Sequence, residues 1–76
     1  MIYCDKEGHL VSDLNLEELH LFAKKIGLKR HWFQDKRLPH YDLIGQAMIN
    51  KAIRAGASLV DSKTLIRVII RKNLME

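Results

Sequence analysis

A single cysteine, Cys4, occurs in the 76 residues of this chain. One thiol cannot close a disulfide within the chain, nor can it build a zinc site of several cysteines. A reducing cytoplasm is therefore the expected compartment. One proline, Pro39, and four glycines punctuate the sequence, too few for a linker or a low-complexity tract. No apolar run approaches the roughly 18 residues that span a bilayer, and the opening residues 1–4 are too short for a signal peptide, so no membrane partner is expected. Glycine loops that cradle phosphate are missing as well: there is no Walker pattern and no Gly-x-Gly-x-x-Gly, which argues against ATP hydrolysis and dinucleotide redox chemistry. Neither a helix-turn-helix nor a zinc finger is evident, which argues against sequence-specific reading of duplex DNA.

What is present is the composition of a folded domain. Hydrophobic residues make up 47% and charged residues 29% of the chain, too apolar for a disordered tail. The length allows one domain, residues 1–76, and no second core. Net stability for such a chain is on the order of 4–11 kcal/mol. With no disulfide to add to it, self-association through an apolar face is an expected further source, and a homo-oligomer is the expected state.

Charge is unevenly spread. Residues 24–37 hold Lys24, Lys25, Lys29, Arg30, Lys36 and Arg37 against Asp35 alone, a net of +5, while the rest of the chain sums to −1. A local excess favours an anion-facing patch over a generally cationic protein. The plainer explanation for Lys24 and Lys25 is a helix C-terminus, where cations suit the dipole.

Residues 1–5 read as a strand, Asp5-Lys6-Glu7-Gly8 as a turn, and His9–Ser12 as a hairpin partner. Asn15 followed by Glu18 forms a capping-box pattern ahead of a helix whose Leu16, Leu19, Phe22, Ala23 and Ile26 make one apolar stripe; Gly27 stops it. His20 lies at the edge of that stripe, away from Phe22, where its ring could reach a cleft. The segment 28–41 carries Trp32, Phe33 and Tyr41 with His31 and His40, and is long for a connection. It is either a short helical turn around Trp32 and Phe33 or a binding loop. Asp42 is placed to cap a second helix over 43–55, with Ile44, Ala47, Met48, Ala52 and Ala55 as its apolar face and Gly56 as its stop. Residues 58–60 read as a short buried strand beside the first one. Asp61 or Ser62 then caps a third helix, roughly 63–72, with Leu65, Ile66 and Ile69 on its inner face. The expected fold is a small α/β (or α+β) domain, a mixed sheet of about three short strands packed with three helices, in the order β-β-α-loop-α-β-α.

The stretches 8–13, 18–23, 26–27, 30–34, 40–42 and 55–57 spell His-Leu-Val-Ser-Asp, Glu-Leu-His-x-Phe-Ala, a hydrophobic residue with Gly, Arg-x-Trp-Phe-Gln, His-Tyr-Asp and a Gly-Ala before the last helix. In these the chain resembles, over nearly its whole length, the small bacterial and phage family called domain of unknown function 4031. The resemblance implies no assigned activity. It marks His9, His20, Arg30, Trp32, Phe33, His40, Tyr41 and Asp42 as positions of interest. The chain departs from the pattern in a shorter link before His9, which lacks that link's tryptophan, and in Lys63 and Thr64 where Arg-Glu is usual.

Three chemistries are open to these residues. His9, His20, His40 and Asp42 are ligand types for zinc, manganese or non-haem iron, at a spacing with no recognised metal signature. His40 and Asp42, two apart, could face one point only if the chain there is extended. As an acid–base set, Asp42 would orient His40, with His20 as a further proton carrier, and a phosphodiester hydrolase would add Arg30 or Arg37 to hold phosphate. Ser12 has no nucleophile-elbow context and Cys4 reads as a buried strand residue. For binding without turnover, Arg30, Lys36 and Arg37 would pair with phosphate while Trp32, Phe33 or Tyr41 stacks on a base. The plainer roles are an N-cap for Asp42 and core filling for Trp32 and Phe33.

The leading expectation is a binding module for an anionic, nucleotide-like ligand or nucleic acid, with no organic cofactor, formed by His9, His20, Arg30, Arg37, His40, Tyr41 and Asp42 with Trp32 or Phe33 as a wall. The alternatives are a compact phosphodiester hydrolase or metal-dependent enzyme using the same histidines, and a protein–protein adaptor docking an acidic partner on the basic loop. The leading reading needs the imidazoles and the cationic aromatic segment to meet in one pocket.

Overall fold

The computed structural model describes the backbone of residues 1–75 and the side chains of residues 1–69. Four strands, β1 (Ile2–Cys4), β2 (His9–Ser12), β3 (Tyr41–Asp42) and β4 (Ser58–Leu59), form one sheet in the order β3-β2-β1-β4. The β1–β2 hairpin is antiparallel, β3 adds antiparallel to β2, and β4 lies parallel to β1. Three helices, α1 (Leu16–Lys25), α2 (Gln46–Arg54) and α3 (Ser62–Met75), and a single 3-10 turn over Arg30–Trp32 complete the fold. The class matches the sequence expectation; the strand count is four rather than three.

Alternation along the strands sorts their side chains to two faces. Ile2, Cys4, Leu10 and Tyr41 pack with Leu19, Ala23 and Ile26 of and after α1, and with Ile49 and Ala52 of α2. Val11 and the half-buried Tyr3 point the other way, onto Leu65 and Ile69 of α3. The domain is three-layered, with α1 and α2 on one side of the sheet and α3 on the other. Cys4 is wholly buried, and burial followed by the Asp5 charge raises its thiol pKa, so it is an inert core residue. Among the described residues no helix is long and apolar enough to cross a membrane.

The helix ends follow their caps. The Asn15 side chain accepts from the Glu18 amide at 2.8 Å. The Glu18 carboxylate does not complete a capping box; it accepts instead from the Ser12 hydroxyl at 2.6 Å. At Gly27 (φ +90°) the chain turns left-handed and the Leu28 amide reaches back to the Ala23 carbonyl. Asp61 caps α3, accepting from the Thr64 amide at 2.7 Å. Leu16, expected on the α1 stripe, is exposed.

The main correction concerns Asp42. It caps no helix: it lies in β3 opposite His9, and α2 begins only at Gln46, after Gly45. Pairing Tyr41 and Asp42 with β2 buries the Tyr41 ring in the core, and that burial with the ladder to β2 outweighs a cap at the start of a weak first turn. The later start shifts the buried face of α2: Ile49 is core, whereas Ile44 is 81% exposed. Leu59 is also a correction, since β4 is an edge strand and leaves it half exposed rather than buried. Ile66, expected on the inner face of α3, is exposed too.

Candidate functional site

The extended chain at 40–42 decides how the candidate residues group. In a strand, alternate residues share a face, so His40 and Asp42 project to the α3 side while Tyr41 projects to the α1 side. His9, directly opposite Asp42 in the β2–β3 register, joins the first pair.

On the α3 face, the His9 and His40 rings meet edge to face with centroids 5.4 Å apart. His40 Nε2 lies 3.3 Å from Asp42 Oδ1. The other nitrogen of each ring is already committed. His40 Nδ1 is 2.7 Å from the Leu38 carbonyl, and His9 Nδ1 is 3.0 Å from Asp5 Oδ2. A carbonyl and an ionised carboxylate only accept, so both Nδ1 atoms carry a proton, and His40 keeps its Nε2 turned to Asp42. Gln34 donates its side-chain amide to the second Asp42 oxygen. Asp5, fully buried, also accepts from the His9 amide at 2.9 Å and the Ser62 hydroxyl at 3.0 Å. Burial pushes the Asp5 carboxyl up, but the bonds from the His9 amide, the His9 ring and Ser62 outweigh it and hold the carboxyl below its ordinary value of 3.8. Beside this cluster lies a cavity of about 140 Å³ walled by Val11, Leu38, Leu65 and Ile66.

On the α1 face, His20 Nδ1 lies 2.8 Å from the Tyr41 hydroxyl. The Phe33 ring stands edge-on to His20 at 4.6 Å, and the Arg30 guanidinium rests over Phe33 at 5.3 Å. Burial, then the Arg30 charge, lowers the His20 pKa below 6.5, so the ring is neutral at pH 7. Burial raises the Tyr41 phenol despite the same arginine. His20, Lys24, Leu28, Arg30 and Tyr41 line an open cavity of about 400 Å³.

The structure thus brings the sequence-derived residues together in two groups rather than one. His9, His40 and Asp42 form one; His20, Arg30, Phe33 and Tyr41 form the other, across the sheet. Trp32 and Arg37 join neither: Trp32 is 44% exposed and stands edge-on to His31, and Arg37 is exposed in the loop before His40. Phe33 packs against the core, so of the two neighbouring aromatics one is structural and one is on the surface.

The profile of a family described as "Protein of unknown function (DUF4031)" matches residues 4–72. The chain belongs to that family. No curated protein and no solved structure matches it significantly. The His-Leu-Val-Ser-Asp and His-Tyr-Asp blocks lie within the matched residues, and the fold places them on the paired strands β2 and β3. Two residues outside the sequence-derived site set belong with the groups. Lys24 reads as an ordinary helix end, and Asp5 as a turn residue. The available signal for Asp5 was its position: Asp5 and His9 bracket a tight turn, so both side chains emerge at one end of the hairpin.

Proposed function

We propose that the protein binds a phosphate-bearing, nucleotide-like ligand on the α1 face of the sheet. The observation that carries this reading is the cavity of about 400 Å³ where Lys24, Arg30, the neutral His20 and the Tyr41 hydroxyl converge. Its volume lies in the range of small-molecule sites. Arg30 supplies a planar fork for phosphate and Lys24 a point charge. With Nδ1 engaged by Tyr41, His20 presents Nε2 to the ligand. Binding without turnover is favoured over phosphodiester hydrolysis, because a phosphate held by Lys24 and Arg30 sits across the sheet from the paired histidines. The reading takes the cytoplasm as the compartment, where a lone buried thiol stays reduced.

A thermal-shift screen of mono-, di- and cyclic nucleotides tests it. A ligand at 100 times its dissociation constant stabilises by about 2.7 kcal/mol, which raises the melting temperature by roughly 10–20 °C in a domain of this size. Arg30→Ala should weaken that ligand by about 10–100-fold, the loss of one hydrogen-bonded charge, while Lys63→Ala on α3 leaves it unchanged. Phosphate at the site should also raise the His20 pKa, read by NMR titration of the ring. Intact recovery of the ligand fits binding, and its conversion would replace the reading with an enzyme. If only polynucleotide binds, with affinity falling steeply as salt rises, the ligand is nucleic acid. No shift with any of these removes the proposal.

We also propose self-association of the domain through Leu14, Leu16 and Leu21, which are exposed at and around the outer side of α1. Light scattering should give a mass of at least twice 8.9 kDa, and Leu21→Glu should return it to the monomer. A wild-type monomer at high concentration would overturn this.

A further inference from the structure

From the cluster on the α3 face we infer that His9, His40 and Asp42 form a mononuclear site for a divalent transition metal of the zinc class. Nothing in the nucleotide reading requires it, and it lies on the other side of the sheet from that cavity.

The donor set is two imidazole nitrogens and one carboxylate oxygen, the combination that zinc and non-haem iron accept and that calcium and magnesium do not favour. One donor atom from each of the three residues falls within 4.8 Å of the other two. His40 Nε2 and Asp42 Oδ1 are 3.3 Å apart. Two donors on a tetrahedral ion, each about 2.0–2.1 Å from it, are separated by about 3.3 Å. That pair is therefore already at metal spacing, and one donor atom of His9 completes the set.

The surroundings point the same way. A histidine that holds a metal almost always donates its second N–H to a carboxylate or a carbonyl, which sets the tautomer and the ring orientation. Both histidines do so here, His9 to the buried Asp5 carboxylate and His40 to the Leu38 carbonyl. Gln34 likewise holds the second oxygen of Asp42, leaving Oδ1 for the cluster. An ordinary surface His–Asp pair needs none of these three supports. Three protein donors leave a fourth position on a tetrahedral ion. The adjoining cavity, whose walls include Leu38, Leu65 and Ile66, would admit water or one small ligand to it.

A second acidic set, Asp5 and Glu7 with His9, also clusters. It is the poorer site, because Asp5 already accepts from the His9 amide and ring and shares the Ser62 hydroxyl with Glu7.

Untagged protein stripped with chelator and titrated with Zn²⁺ by calorimetry should bind one ion per chain, and Co²⁺ should give the visible absorption of a tetrahedral complex. His9→Ala and Asp42→Ala alter partly exposed side chains and are expected to stay folded by circular dichroism. Each should weaken metal binding on the order of 100-fold, and Asp5→Asn, which removes an orienting carboxylate, by about 10–100-fold. Because the nucleotide cavity uses none of these side chains, the nucleotide shift of His9→Ala should equal that of the wild type. The inference is overturned if the stripped protein takes up no Zn²⁺ or Co²⁺. It is equally overturned if folded His9→Ala and Asp42→Ala bind as the wild type does, since the ion is then held elsewhere.

Discussion

Gly8→Ala is expected to lower the melting temperature by about 12–24 °C, the equivalent of about 3 kcal/mol in a domain of this size. Gly8 has φ +93°, and a Cβ built there would lie 2.3 Å from the Leu43 carbonyl oxygen, inside any tolerable contact. The neighbour is backbone and cannot rotate away. It is also pinned, because the Leu43 amide donates to the Gly8 carbonyl at 2.6 Å. The added methyl must therefore push the hairpin turn and the end of β3 apart. Gly56→Ala separates strain from collision: its φ is +120° but nothing lies within 4 Å of the added carbon, so only the backbone term of about 1–2 kcal/mol applies. Melts followed by circular dichroism would decide between them. Equal losses for the two variants would mean that the close approach of Gly8 and Leu43 contributes nothing.

Asp5→Ala is the second large effect. The Asp5 carboxylate is fully buried and holds the His9 amide, the His9 ring and the Ser62 hydroxyl. Its removal strands the His9 amide, while the Ser62 hydroxyl keeps Glu7 as acceptor, at a cost of about 1–3 kcal/mol in chemical denaturation. Asp5→Asn keeps the volume and gives the pH test. The carboxyl is held below 3.8 in the folded state, so the unfolded chain binds more protons in that window and stability rises with pH. The contribution is present above the unfolded value near 3.8 and is lost as pH falls through the lower folded value. Wild-type stability should therefore drop more steeply than that of Asp5→Asn below about pH 4. Parallel acid curves for the two proteins would show that Asp5 gains nothing from its partners.

Both effects fall on the same short stretch, and that stretch positions the α3-face histidines. The turn at Asp5–Gly8 sets the hairpin, the Gly8–Leu43 crossing brings β3 alongside β2, and the resulting register places Asp42 opposite His9. The function proposed for the α1 face depends less on this turn. His20 and Lys24 sit on α1, whose ends are held by Asn15 and Gly27.

The local signals were legible wherever a single residue type satisfies a backbone need. Asn15, Gly27 and Gly56 marked helix ends, Asp61 or Ser62 the start of the last helix, and the turn chemistry of residues 5–8 the hairpin, because these depend on chain neighbours alone. The place of β4 beside β1 also followed from the order of elements; that the two run parallel came from the structure. Asp42 shows where such reasoning fails. An aspartate ahead of an apolar helical run satisfies a cap, and it equally satisfies a strand if another strand lies beside it. Only the presence of β2 chose between them, through ladder bonds and the burial of Tyr41 that no local pattern contains. The same choice settled the sites. Residue types, together with the family resemblance, nominated the imidazoles, the arginine and the aromatics. Which of them meet was decided by the sheet, because an extended 40–42 segment sends Tyr41 to one face and its two neighbours to the other.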